Sequence, residues 1–493
     1  MDKYVSLNNR NLKLLRPVIV RPEYDRSKLF TSIVHAGVGG FHRSHQAYYT
    51  DLLCGKGVTD WSICGIGLMK NDRPMKKNLE HQDHLYTLMV NYPDGKVTAQ
   101  VIGSITEYMY VPDNPVLVIK KMAQPETRIV SLTITEGGYN FNQSTGEFIF
   151  DNPDIQWDLR NPESPRTIFS LLAESLKLRK EKNLKPYTVL SCDNIQHNGD
   201  VAKRMLIAFT DLKDRSLRKW IEDNVSFPNC MVDRITPVST EETKQTLTDN
   251  FGIDDKCPVI CEPFCQWIIE DRFVAGRPQW EDAGAQFVPD VAPFEKMKIR
   301  LLNAGHSLLG FTGALHGYDY IHECVGDDLF TQLLRNFMDK EVTPVLDPVP
   351  GIDLASYKNT LVERFGNASI KDTVARICGQ SSAKIPKFLL PTIHDQLKSQ
   401  GPVNISAFVI AAWCCYSRGT DEKGRKYDLD DELRSELNQA ALKSDSDELA
   451  FLKIEPVFGD LIKSASFTEA YLKALRNIRL NGIKKATKLL LNP

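Results

Sequence analysis

The amino-acid sequence predicts an α/β domain built on a mostly parallel sheet, followed by a mainly α-helical C-terminal domain. Three observations carry this. Short β-branched runs alternate with stretches of helical period up to about residue 290, the pattern of βαβ units. Glycines cluster between the first of these strands and the helix after it. Beyond Pro293 the strand signals give way to long helical segments. With 493 residues the chain is too long for one hydrophobic core. The division is expected between residues 1–292 and residues 293–493.

In chain order, "SIVHAG", "WSICGIGL", "RIVSLTIT" and "YTVLSCDN" read as strands. "FHRSHQAYYTDLLCGKG", "TIFSLLAESLKLRKEK" and "AKRMLIAFTDLKDRSLRKWIEDN" read as helices. "NYPDGK" and "NQSTGEFIFDNPD" carry turn residues and read as hairpins or loops added to the sheet. The helical part contains "EKMKIRLLNAGHSLLGFTGAL", "DDLFTQLLRNFMDKEV", "ISAFVIAAWCCYSRG" and "FTEAYLKALRNIRLNGIKKATKLLL". The formal net charge of -2 argues against a general polyanion-binding surface. The polar N-terminus lacks a signal-peptide core, and no apolar run reaches the length of a membrane span, so the chain is read as cytoplasmic. Eleven scattered cysteines then read as thiols. Cys257, Cys261 and Cys265 have the spacing of a helix face, but Pro258 and Pro263 interrupt it, and buried thiols are expected there in preference to a metal site.

In "VHAGVGGFHRSHQ", residues 34–46, the glycines stand where a Rossmann-type turn cradles a pyrophosphate. Gly37 and Gly39 fit, with Gly40 and Phe41 following, but the third small position of G-x-G-x-x-G is His42. A plain βα turn is the competing reading. Asp72 follows the second strand, suited to the hydroxyls of an adenosine ribose, although farther along than the usual spacing of about 20 residues. A solvated loop charge is the alternative. Lys70 and Arg73 flank it and would tolerate a 2′-phosphate. His42, Arg43 and His45 lie too close together for a shared metal and are expected as a basic lining near the phosphates.

At roughly 100° per residue, Glu295, Lys298, Asn303 and His306 fall within a sector of about 140°, beside an apolar face of Met297, Leu301 and Leu308. A surface helix with chance polar residues would look the same. Asn194 sits just past an apolar strand, where open α/β sheets place their ligands. Oxidation of a secondary alcohol by hydride loss needs a base for the hydroxyl proton and donors for the developing oxyanion. A lysine and two asparagines suit that task without zinc.

"GVGGFHRSHQ", "TITEGGY", "SCDNIQHNG", "FPNCMVDRITP" and "KMKIRLLNAGH", continuing through "PVPGIDLASYKNTLVERFGN" and "SSAKIPKF", occur in the order seen in polyol-specific long-chain dehydrogenases. The chain resembles that family nearly end to end. The resemblance implies a metal-independent, monomeric enzyme interconverting D-mannitol and D-fructose with NAD. By resemblance, Lys298 is the general base, and Asn194 and Asn303 form the oxyanion site. His306 orients substrate and Glu295 passes the proton to solvent. Asp233, Arg376 and Lys384 contact polyol hydroxyls, with Glu136 near the same pocket. Gly37, Gly39, Gly40, Phe41, Asp72 and Arg73 lie on the cofactor side. One departure stands out: close members carry an acidic residue where Asn71 stands here, which weakens the barrier to NADP. Reduction of fructuronate, oxidation of sorbitol or arabinitol, and a nucleotide-binding sensor without catalysis are the rival readings.

Overall fold

The computed structural model describes residues 4–142 and 145–492. By compactness the chain divides into one unit of residues 1–92 and 96–292 and another of residues 93–95 and 293–493.

The strands of three or more residues in the first unit are β1 Thr31–Ala36, β2 Ser62–Gly67, β3 Tyr86–Asn91, β4 Val97–Ile102, β5 Ile105–Tyr110, β6 Ile129–Leu132, β7 Thr188–Ser191, β8 Cys230–Asp233, β9 Val259–Cys261, β10 Gln266–Glu270 and β11 Gln286–Val288. The main sheet has five strands in the order β5-β2-β1-β6-β7, all parallel. Every residue of β1, β2, β6 and β7 is buried, as expected of strands covered on both faces. The two-residue period divides them between two cores. Val34, Ala36, Cys64, Ile66, Val130, Leu132 and Val189 enter one, and Ile33, Ile63, Ile129 and Leu190 enter the other. Strand order reverses between β1 and β6, and such a switch point opens a crevice at the strand ends.

Two small mixed sheets are added, β9-β3-β4 and β11-β10-β8, and the short strands Val5–Ser6 and Ile253–Asp254 pair in parallel. "NYPDGK" is the hairpin between β3 and β4, with the Tyr92 amide donating to the Lys96 carbonyl at 2.9 Å. "NQSTGEFIFDNPD" includes residues 143 and 144, which lie outside the described residues; its flanks bridge at Phe141 and Phe148. The long helix expected up to Asn224 is two helices, Asn198–Lys213 and Arg215–Asn224. Asp214 between them has extended backbone and accepts from the amides of Ser216 and Leu217 at 2.9 and 3.0 Å, an N-cap that starts a new helix.

The second unit is helical, and none of the strands lies in it. Its core helix, Asn404–Tyr416, is buried at every position from Ile405 to Tyr416 and packs on helices Ala304–His316 and Ala465–Asn481. The Glu341 carboxylate caps its N-terminus, accepting from the Ile405 amide at 2.6 Å, the Ser406 amide at 2.8 Å and the Ser406 hydroxyl at 2.5 Å. All eleven cysteines are free; ten are buried and Cys265 is half-buried. Cys261 ends strand β9, so the 257–265 run is not a helix face. Among the described residues no helix is long and apolar enough to cross a membrane.

Candidate active site

In the first unit, β1 ends at Ala36 and the chain turns at Gly37, whose φ of +93° favours glycine. A Cβ there would lie 2.0 Å from the Thr133 carbonyl oxygen at the end of β6. Thr133 ties the turn down: its amide donates to the Ala36 carbonyl at 2.9 Å and its hydroxyl to the Gly37 carbonyl at 2.6 Å. Gly39 then caps a short helix, Gly40–Ser44, with no side chain to occupy the first amides. This glycine turn at the switch point is a cradle only a residue without Cβ can form, and it fits a dinucleotide pyrophosphate.

The expected basic lining is corrected. His42, Arg43 and His45 are all buried. His42 stacks on His35 of β1, with ring centroids 3.4 Å apart. It fills the space that a third glycine would leave open between helix and strand. Burial, reinforced by the neighbouring His35, holds its imidazole well below the usual histidine range. The Arg43 guanidinium donates inward, to the carbonyls of Gly39 at 3.2 Å and of Cys257. His45 Nε2 lies 3.0 Å from the Gln266 carbonyl, and the helix breaks there: Gly40–Ser44 and Gln46–Gly55 are separate. Phe41 stacks on His45 at 4.9 Å.

Asp72 lies in the turn after β2. Its Oδ2 accepts from the amides of Leu68 and Met69, both at 2.8 Å, and so fixes the carboxylate above that strand end. A Cβ on Gly67 would meet the Tyr108 hydroxyl at 2.4 Å and the Asp72 Cβ at 2.7 Å. Gly67 therefore lets Asp72 close over the strand, a signal in "CGIGL" the sequence reading left unused. Arg73 pairs with Asp113 at 2.9 Å and covers the Tyr110 ring. Asn71 is exposed.

At the ends of β6 and β7 the Asp193 carboxylate receives three donors: the Ile134 amide at 2.9 Å, the Thr135 amide at 2.8 Å and the Tyr139 hydroxyl at 2.7 Å. Thr135 has a φ of +61°. Glu136 follows it, half-buried, and Asn194 follows Asp193, exposed. The Asn198 amide donates to the Asp193 carbonyl at 3.0 Å and to the Cys230 carbonyl at 2.8 Å, joining this corner to β8, which ends at the buried Asp233.

In the second unit Glu295, Lys298, Asn303 and His306 are all buried, at 4, 7, 8 and 8 % exposure, which removes the surface-helix reading. The helix carrying them is not regular. Lys298–Asn303 is a π-helical stretch between α-helical Ala292–Met297 and Ala304–His316. Bonding from i to i+5 widens the turn, so a constant 100° step does not carry from Glu295 to His306. The His306 ring lies 4.1 Å from that of Phe365, and its Nε2 3.9 Å from Asp372 Oδ2. Asp372 also receives Arg376 in a fork, with both bonds at 2.7 Å. Lys384 donates to the carbonyls of Arg376 and Ile377 at 3.4 and 3.3 Å. Burial, then the charge of Arg376, lowers its pKa. His306 and Arg376 thus both face Asp372, which the sequence reading missed; its i−4 spacing from Arg376 was the available sign. Among the described residues no group of three His, Cys, Asp or Glu side chains is placed to hold a metal.

Residues 31–282 match the family described as "Mannitol dehydrogenase Rossmann domain", and residues 290–479 match "Mannitol dehydrogenase C-terminal domain". Mannitol 2-dehydrogenase of Aspergillus oryzae is 44% identical, with 98% of each chain covered. Mannitol dehydrogenase 2 of Saccharomyces cerevisiae is 44% identical over 99% of this chain and 98% of its own. The Pseudomonas fluorescens mannitol 2-dehydrogenase ternary complex with NAD and D-mannitol superposes with a TM-score of 0.90 at 44% identity, covering 99% of both chains. A substrate-free D-sorbitol dehydrogenase gives a TM-score of 0.91 at 37% identity, covering 98% of this chain and all of that one.

Proposed function

The chain belongs to the mannitol dehydrogenase family, and from that premise we propose that it interconverts D-mannitol and D-fructose with NAD. The observation that carries the reading is the likeness along the whole chain to a relative seen with NAD and D-mannitol, at 44% identity. The buried polar helix of the second unit is what such chemistry requires.

When bound, NAD supplies the hydride acceptor. The turn Gly37, Gly39, Gly40 and Phe41 holds its pyrophosphate, and Asp72, with Arg73 beside it, faces the adenosine ribose. Lys298 takes the proton from the substrate's C2 hydroxyl as hydride departs from the same carbon. Asn194 and Asn303 donate to the oxygen as it gains negative charge. Glu295 passes the proton towards solvent, and His306 orients the substrate. Asp233, Arg376 and Lys384 contact the other hydroxyls, and Glu136 serves the same substrate. Arg376 and Lys384 are held on Asp372 and on helix-end carbonyls, so both hydroxyl contacts are pre-positioned. The enzyme acts as a monomer without a metal.

Initial rates with D-mannitol, D-sorbitol and D-arabinitol under NAD, and with D-fructose and fructuronate under NADH, test this. D-mannitol and D-fructose should give the highest kcat/KM of their sets. The near-complete likeness to a D-sorbitol dehydrogenase favours sorbitol as the second reading. A higher kcat/KM for sorbitol than for mannitol would select it.

A further inference from the structure

We propose that Asp193 is the positioning residue of the oxyanion corner: its carboxylate holds Thr135 in a strained turn and thereby sets Glu136 and Asn194 together at the ends of adjacent strands. The inference rests on the roles proposed for Glu136 and Asn194, and it adds what places them.

β6 and β7 pair in register to their last residues, Leu132 opposite Ser191. Beyond that pair the ladder closes with the Cys192 amide donating to the Leu132 carbonyl at 2.8 Å. Asp193 carries the link on into the two loops. Oδ1 accepts from the Thr135 amide at 2.8 Å, and Oδ2 from the Ile134 amide at 2.9 Å and the Tyr139 hydroxyl at 2.7 Å. All three donors belong to the loop that carries Glu136, whereas Asp193 is the immediate neighbour of Asn194.

A structural carboxylate alone would not need Thr135 where it is. A β-branched residue at a φ of +61° is a genuine outlier, of a kind that persists only where its surroundings over-determine it and that gathers at functional sites. Two charge-assisted bonds to consecutive amides are what over-determines it. The corner is also held from behind. Tyr139 Oη lies 2.5 Å from Ser191 Oγ, and Asn198 bonds the Asp193 and Cys230 carbonyls.

Three variants test this: Asp193→Asn, the double variant Asp193→Asn with Thr135→Gly, and Tyr139→Phe. In Asp193→Asn the new amide group turns a donor towards one of the loop amides. With Asn194 misplaced, kcat for D-mannitol oxidation should fall about 30-fold or more. The NADH dissociation constant, read by fluorescence quenching, should stay within about threefold, because the pyrophosphate turn is untouched. Glycine adopts positive φ without a carboxylate to hold it, so adding Thr135→Gly should return at least about fivefold of the lost rate. A purely structural role would show as a fall in Tm that the glycine does not repair. Should Asp193→Asn not fold, Tyr139→Phe removes a single donor and should lower kcat by about threefold or more. Unchanged kcat in Asp193→Asn, or in Tyr139→Phe, overturns the inference. So does an Asp193→Asn defect that Thr135→Gly leaves as it was. Asn194→Ala is the control for the underlying reading: wild-type kcat there removes the oxyanion role itself, and this inference with it. Loss in Asn194→Ala with no loss at Asp193 rejects this inference alone.

Discussion

Lys298 is the side chain on which the proposed chemistry turns. Among the buried polar groups on its helix it alone combines long reach with an amine that can give up its proton; the Arg300 guanidinium donates to Asp395 at 2.6 Å and is no base, and amides cannot take a hydroxyl proton at ordinary pH. Lys298→Ala should lower kcat by at least about 1,000-fold, with NADH affinity near wild type, and a small primary amine should restore part of the rate. If the variant keeps more than about a tenth of the turnover, His306 replaces it as the candidate base. Asp72 bears on cofactor choice. Its carboxylate is pinned by two backbone amides and should repel a 2′-phosphate, so Asp72→Ala should narrow the preference for NAD mainly through the KM of NADP. A wild type that already favours NADP would refute that role, and Asn71 beside it makes the comparison informative. Which residues were legible follows from where their partners lie. Gly37 announced itself because a turn between strand and helix at that spacing needs positive φ. Asp193 did not, because its three donors lie 54, 58 and 59 residues earlier and only the sheet brings them near. The imidazoles of His42 and His45 misled because packing buries them: His42 against His35 of β1, and His45 against Trp267 and the Gln266 carbonyl.

Strands were legible as short β-branched runs, as in β1, β2, β6 and β7, and helices by their period. Their interruptions were less so. Asp214 has the residue type of an N-cap and was open to recognition. The π-helical stretch Lys298–Asn303 has no comparable sign, since its sequence is compatible with an ordinary helix. A second π-helical stretch, Met338–Val342, carries Glu341 to the end of the core helix Asn404–Tyr416. Burial outweighs the hydrogen bonds from Ser406 and Ile405 and pushes this carboxyl up to about 7 from an ordinary 4.5. Between those values the folded state holds a proton that the unfolded chain has released. Glu341 thus contributes most at the acid end, and stability is lost as pH rises to about 7, by at most roughly 3 kcal/mol. Melting curves at about pH 5 and pH 8 should show a smaller change in Tm for Glu341→Gln than for wild type. Equal shifts in both proteins would mean that Glu341 is already ionised in the folded state.

At the scale of the whole chain, the α/β pattern followed by helices was legible because, among the described residues, no strand follows β11. The order β5-β2-β1-β6-β7 was not, because pairing between strands tens of residues apart leaves no local trace. The proposed chemistry uses an amine and amides throughout. Exhaustive dialysis against a chelator should therefore leave the rate of D-fructose reduction intact, whereas loss reversed by added zinc would reject Lys298 as base. Light scattering at working concentrations should give the mass of one chain.

The cysteines give the molecule a built-in clock. Ten of the eleven sulfurs are buried, and in most cases burial pushes the thiol up, in Cys64 and Cys324 to about 12. Thiolate is the species that alkylates, so each of these sites is protected twice, by access and by ionisation. Label uptake on the intact protein then measures opening, not intrinsic reactivity. Cys64 lies inside a strand of the parallel sheet, and Cys414 and Cys415 lie inside the buried helix of the second unit. Peptide-resolved alkylation would therefore time the loosening of each unit separately, with no probe introduced.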